Sequence, residues 1–102
     1  MSRPTTTAEV KRLSNEIAEL LKKINTETDM IKTYDSSLLK TKASYLVPGQ
    51  VPTTGLLERE KIRTQMRENS LAMKVGIQKT LAQNLQKWGV LKQKLDALRK
   101  AP

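Results

Sequence analysis

Carboxylates, lysines and arginines supply almost all the ionisable side chains of this sequence, with two tyrosines besides. Neither histidine nor cysteine occurs. That removes the usual general base, the thiol nucleophile and the commonest metal ligands. The acids are scattered without the inward-facing Glu-x-x-His pattern of bundle metal sites. The loop Val-Pro-Gly-Gln-Val-Pro lacks the lysine and following helix of a phosphate cradle. No catalytic residue, metal ligand or cofactor is expected, and an enzyme is not the expectation. What remains is recognition through charge and apolar surface.

Charge is abundant and uneven. Nineteen Lys and Arg against ten Asp and Glu give +9. Residues 1–52 carry eight bases and six acids, residues 53–102 eleven and four, and from Asn69 onward the only acid is Asp96. Such an arm suits an anionic partner, with Lys87, Lys92, Lys94, Arg99 and Lys100 as the contacts. Nucleic acid and an acidic cytoskeletal surface both fit that description. Aromatic side chains are 3% of the chain, however, and no base-stacking residues are interleaved with these lysines. Helical spacing spreads the charges around the helix, so an anionic polymer is the second choice.

The first choice follows from the elements that carry these residues. Val10, Leu13, Ile17, Leu20, Ile24, Ile31, Tyr34, Leu38 and Tyr45 keep a seven-residue beat, interrupted by Glu27 and Thr41. Over about five heptads, that spacing reads as a coiled-coil seam. A second seam comprises Ile77, Leu81, Asn84, Trp88, Leu91, Leu95 and Leu98. Upstream of it, Ile62, Met66 and Met73 suggest a stripe that joins through a stutter. Pro48, Gly49, Pro52 and Gly55 break the chain between the two seams. Pro48-Gly49 suits the centre of a type II turn.

These signals predict an all-α protein, two long helices forming an antiparallel coiled-coil hairpin. Residues 1–6 form a flexible lead and 7–102 a single domain. The first helix covers about 7–44, the loop 46–55 and the second helix about 56–100. Thr6 with Glu9 fits a capping box, and Glu58 and Glu60 fall in the expected first turn of the second helix. Folding about residues 50–51 sets Val10 by Leu91, Leu13 by Trp88, Leu20 by Leu81 and Ile24 by Ile77. It also sets Glu9 by Lys94, Glu16 by Lys87 and Glu27 by Lys74. A register shifted by one heptad would use Leu95 and Leu98 more fully, but it would set Lys23 against Lys87.

A hairpin alone leaves apolar surface uncovered, since Leu21 and Met30 flank the first seam and Leu39, Leu71, Val75, Leu85 and Val90 lie off the seams. They predict a second interface completing a three- or four-helix bundle with homo- or hetero-oligomeric helical partners. Asn84 either lies in the seam or yields its place to Leu85. Gly76 and Gly89 either admit a close backbone or weaken the helix. Trp88 reads as a core layer. The apolar loop residues Tyr45, Leu46, Val47, Val51, Leu56 and Leu57 either cap the bundle end or dock elsewhere, and capping is the stronger expectation. The expected function is a non-enzymatic interaction subunit or adaptor of a multi-subunit complex. With no apolar run near the ~18 residues that a membrane span needs, an intracellular setting, cytoplasmic or nuclear, is expected.

Overall fold

The structure, a computed structural model, describes residues 4–100, with side chains described from residue 7 onward. It is an all-helical hairpin of α1, Pro4–Lys40, and α2, Thr54–Lys100, packed against one another, with no strand among the described residues. Contacts divide the chain into two units. One, called here the terminal unit, is Met1–Thr28 with Lys79–Pro102. The other, the turn unit, is Asp29–Gln78.

Helix α1 begins at Pro4, where a proline's missing donor costs nothing. Residues 4–6, expected in the flexible lead, are helical, so Thr6 falls inside the helix rather than at its cap, and residues 1–3 lie outside the described residues. The side chain of the expected capping box at Thr6 lies outside the described residues. The helix ends at Lys40, four residues before the expected Ser44. The Thr41 N–H still donates to the Ser37 carbonyl at 3.1 Å, and the Lys42 N–H tightens onto the Leu39 carbonyl at 3.4 Å. Arg67 and Arg63 of α2 then take the Leu38 and Thr41 carbonyls at 2.7 and 2.8 Å. Two guanidinium groups thus satisfy carbonyls at the negative end of α1. Tyr45, expected on the α1 seam, lies beyond the helix and is exposed.

In the turn, Gly49 has φ +83° and the Gln50 N–H donates to the Val47 carbonyl at 3.2 Å. That is the arrangement expected for Pro48-Gly49. Helix α2 starts at Thr54, capped by Thr53, whose Oγ1 accepts the Leu56 N–H at 3.2 Å. With that start the first turn of α2 holds no acid, so Glu58 and Glu60 lie beyond it. The last turn carries Arg99 and Lys100, as the helix dipole favours.

The buried and half-buried residues of α2 are Leu56, Glu60, Arg63, Arg67, Ser70, Lys74, Ile77, Leu81, Asn84, Trp88, Gly89, Leu91, Leu95 and Leu98. Apart from Gly89, they step by three and four without interruption. The expected stutter is absent, and Ile62, Met66 and Met73 are exposed instead. A polar stretch of the heptad, not an apolar detour, faces α1 there. A Cβ at Gly76 or Gly89 would meet nothing within 4 Å, so neither glycine serves a close backbone approach.

Candidate interaction surfaces

The terminal unit holds the apolar part of the helix pair. Leu13, Leu20, Ile24 and Leu95 are buried, while Val10, Ile17, Leu81, Trp88, Leu91 and Leu98 are half-buried. Leucine and isoleucine at these spacings drive the pairing by removing apolar area from water, roughly 1.5–3 kcal/mol for each fully buried side chain. Among them sits Asn84, only 8% exposed, whose Nδ2 donates to the Glu27 Oε1 at 2.7 Å. Leu85 beside it is exposed. Asn84 therefore occupies the seam, and the seam does not rotate onto Leu85.

That contact also corrects the expected register. Glu27 meets Asn84 rather than Lys74 and Ser37 meets Ser70 rather than Thr64, displacements of ten and six residues along α2 that bracket the one-heptad shift set aside above. Leu13 shares a groove with Leu98, and Leu20 shares one with Leu91. Lys23 and Lys87 line the same groove, the juxtaposition that the charge argument counted against this direction of slip. Glu16 pairs along its own helix with Arg12 at 2.9 Å instead of reaching Lys87. Glu9 and Lys94 border one depression without an ion pair between them. Burial of leucine outweighs such charge terms, since an exposed ion pair contributes only about 0.2–1 kcal/mol.

The turn unit is built differently. Ser70 is its one buried residue among those described, and its Oγ lies 3.1 Å from the Ser37 Oγ. Lys74 pairs with Asp35 at 2.5 Å. Ile31, Tyr34, Leu38, Leu56 and Ile77 are half-buried. Thr33 and Thr64 return their hydroxyls to the carbonyls four residues back, at 3.1 and 3.0 Å, which lets threonine sit inside a helix without an unmet donor.

Glu60 fastens the end of this unit. Its Oε2 accepts the Ser44 hydroxyl at 2.7 Å and the Tyr45 N–H at 3.0 Å, and its Oε1 accepts Arg63 Nε at 2.6 Å. The Ser44 Oγ in turn accepts the Leu46 N–H at 3.1 Å. The hydrogen bond from Arg63, then that from Ser44, lower the Glu60 carboxyl from 4.5 to about 2, and the Tyr45 N–H adds to them against a smaller opposing cost of burial. These bonds, not an apolar cap, hold the turn. Of the residues expected to cap the end, Leu56 is half-buried, while Tyr45, Leu46, Val47, Val51 and Leu57 remain exposed, against the capping expectation. The polar contributors Glu60, Arg63, Arg67 and Ser70 escaped the apolar pattern. Counting back from Ile77 by threes and fours would have reached them.

The remaining candidates lie on the outside. Leu21, Met30, Leu39, Leu71, Val75 and Leu85 are all exposed. So are Lys87, Lys92, Lys94, Arg99 and Lys100. Lys92 Nζ rests 4.9 Å from the centroid of the Trp88 ring, a geometry that attracts a cation to the ring face. Among the described residues, no cluster of acids could hold a metal ion, and no helix is long and apolar enough to cross a membrane. No family model, curated protein or solved structure matches this chain.

Proposed function

We propose that this chain is a non-enzymatic helical-hairpin subunit that joins other helical proteins in a multi-subunit assembly. The observation that carries the reading is the inversion of α2 between Ile62 and Val75. There Ile62, Met66, Leu71, Met73 and Val75 are exposed, while Ser70, Arg67 and Lys74 face α1. Ile62, Met66 and Met73 share one face of α2 and Leu71 and Val75 the opposite one, and exposed apolar residues gathered on a helix face are a signature of a surface that meets another protein. Ile62, Met66 and Met73 follow i, i+4, i+11 spacing, the reading frame of a helix laid against a helical partner. Methionine suits such a surface because its flexible thioether conforms to different neighbours.

The test is sedimentation equilibrium over a hundredfold concentration range, with helicity followed alongside, on the native chain and on Met66→Asp with Met73→Asp. The reading expects one of two behaviours. The native chain forms a discrete oligomer that the double variant loses, or it is a weakly helical monomer that gains structure when a helical partner is added. A fully helical monomer whose cooperative melting ignores both concentration and added helical protein would overturn it.

A further inference from the structure

We infer that the open groove of the terminal unit seats an acidic amphipathic helix of another protein. This rests on the assembly reading and names the partner's chemistry. The groove encloses about 830 Å³ between α1 and α2, with Leu20, Val90 and Leu91 among its lining. A second depression of about 390 Å³ shares Lys23 and Asn84 with it and reaches Glu27. A third, of about 310 Å³, lies between Glu9 and Lys94. Glu9, Glu16 and Lys23 are seven residues apart on α1, and Thr80, Lys87 and Lys94 seven apart on α2. Heptad spacing keeps each set on one side of its helix. From Glu9 to Glu27 that side runs about 27 Å at 1.5 Å per residue, room for about five turns of a partner helix.

Charge selects the occupant. On the α1 wall Glu16 is tied to Arg12, Glu19 to Lys22 and Glu27 to Asn84. The central groove is lined by two of these acids, Glu16 and Glu19, and by the cations Lys23 and Lys87; the acids have cation partners, whereas among the described residues neither lysine makes an ion pair within 4 Å. The α2 segment 79–100 carries six cations and a single acid, Asp96. A carboxylate carried by an incoming helix finds in these two lysines cations that have no ion-pair partner to give up. The lining offers Leu20, Val90 and Leu91 for an apolar stripe but no aromatic ring for a nucleobase. A second copy would bring the same unpaired lysines. An amphipathic helix with leucines on its stripe and Glu or Asp along its edges satisfies both the floor and the walls.

The probe is a displayed library of 18-residue amphipathic helices, with a fixed leucine stripe and edge positions varied among Glu, Gln and Lys, selected on the full chain. Selection should enrich Glu at the edges. Lys23→Glu with Lys87→Glu, both exposed positions, should lower affinity for the selected peptides at least tenfold and reverse the preference toward Lys. Val90→Asp, at a residue 47% exposed, should abolish binding without loss of helicity. Edges that stay unselective, or binding indifferent to Val90→Asp, would overturn the proposal. So would a chain whose groove closes on a second copy, seen as a dimer lost on Val90→Asp, or one that prefers an oligonucleotide to every peptide. Peptides lost only on Met66→Asp with Met73→Asp would remove this groove and leave the assembly reading standing. No helical binder at either surface would remove both.

Discussion

In the terminal unit, the side chains shielded from water are Leu13, Leu20, Ile24, Leu95 and Asn84. In the turn unit, among the described residues, the shielded side chain is Ser70. The outside shows the reverse. Of the fifteen large apolar residues that are exposed among the described ones, only Leu21, Leu85 and Val90 belong to the terminal unit. The same pair of helices thus uses opposite chemistry in its two units. One is held by removing leucine and isoleucine from water. The other half-buries Ile31, Tyr34, Leu38, Leu56 and Ile77, adds directed hydrogen bonds that each contribute only about 0.5–1.5 kcal/mol net, and keeps most of its other large apolar residues outward. A hairpin built only for its own stability would place those residues inward in both units.

The contrast can be broken at its strong end. Leu20→Ala is expected to cost about 3 kcal/mol through lost burial and the cavity left behind. The comparable truncation in the turn unit, Met73→Ala, should stay within about 0.5 kcal/mol. Urea denaturation of both variants checks the pair, and equal losses would erase the distinction between the units. Asn84→Ala removes the donor to Glu27 and leaves a half-buried carboxylate, for an expected loss of about 2 kcal/mol in the same measurement.

Smaller changes sharpen the comparison. Ser70→Ala alone should cost about 1 kcal/mol, because the Ser37 hydroxyl loses its partner. Ser37→Ala with Ser70→Ala should recover most of that loss, since no polar group is left unmet. A double-mutant cycle reads the coupling. In the terminal unit, Gly89→Ala should stabilise α2 by about 0.5–1 kcal/mol, because the added methyl meets open space. Thermal melts would show it.

The mildest effect is local. The carboxyl of Glu60 is held down to about 2 from 4.5, so the fold favours its charged form. Its contribution is complete above about pH 4.5 and is lost as the pH falls through about 2. An NMR titration should find Glu60 titrating near 2, with amide exchange at Tyr45 rising over the same range. Terminal-unit amides should not follow it.

Apolar periodicity made the helices, the break between them and the terminal seam legible, because leucine and isoleucine there both mark the heptad and fill it. In the turn unit it placed Ile31, Tyr34, Leu38 and Ile77 on the inward face but misread α2 before Ile77 for the same reason. Where Arg63, Arg67, Ser70 and Lys74 occupy the inward positions, the apolar residues point to the wrong face, and Ile62, Met66 and Met73 imitate a stutter. Helix ends shifted because their causes are not local: α1 stops where Arg63 and Arg67, more than twenty residues away, take its carbonyls. The register escaped charge counting because lysine repulsion across a wet groove is weaker than the burial of Leu95.

The Glu60 clasp also bears on how the chain finds its fold. Ser44 and Glu60 are 16 residues apart in sequence, whereas Glu27 and Asn84 are separated by 57. Closing the longer loop first would cost roughly 1 kcal/mol more in chain entropy. The cheap closure is therefore polar and near the turn, and the apolar reward waits at the distant ends. A carboxylate that gathers Ser44, Tyr45 and Arg63 keeps the chain reversed while the leucines approach, so zippering is expected to start at the turn and finish at Leu13 and Leu95.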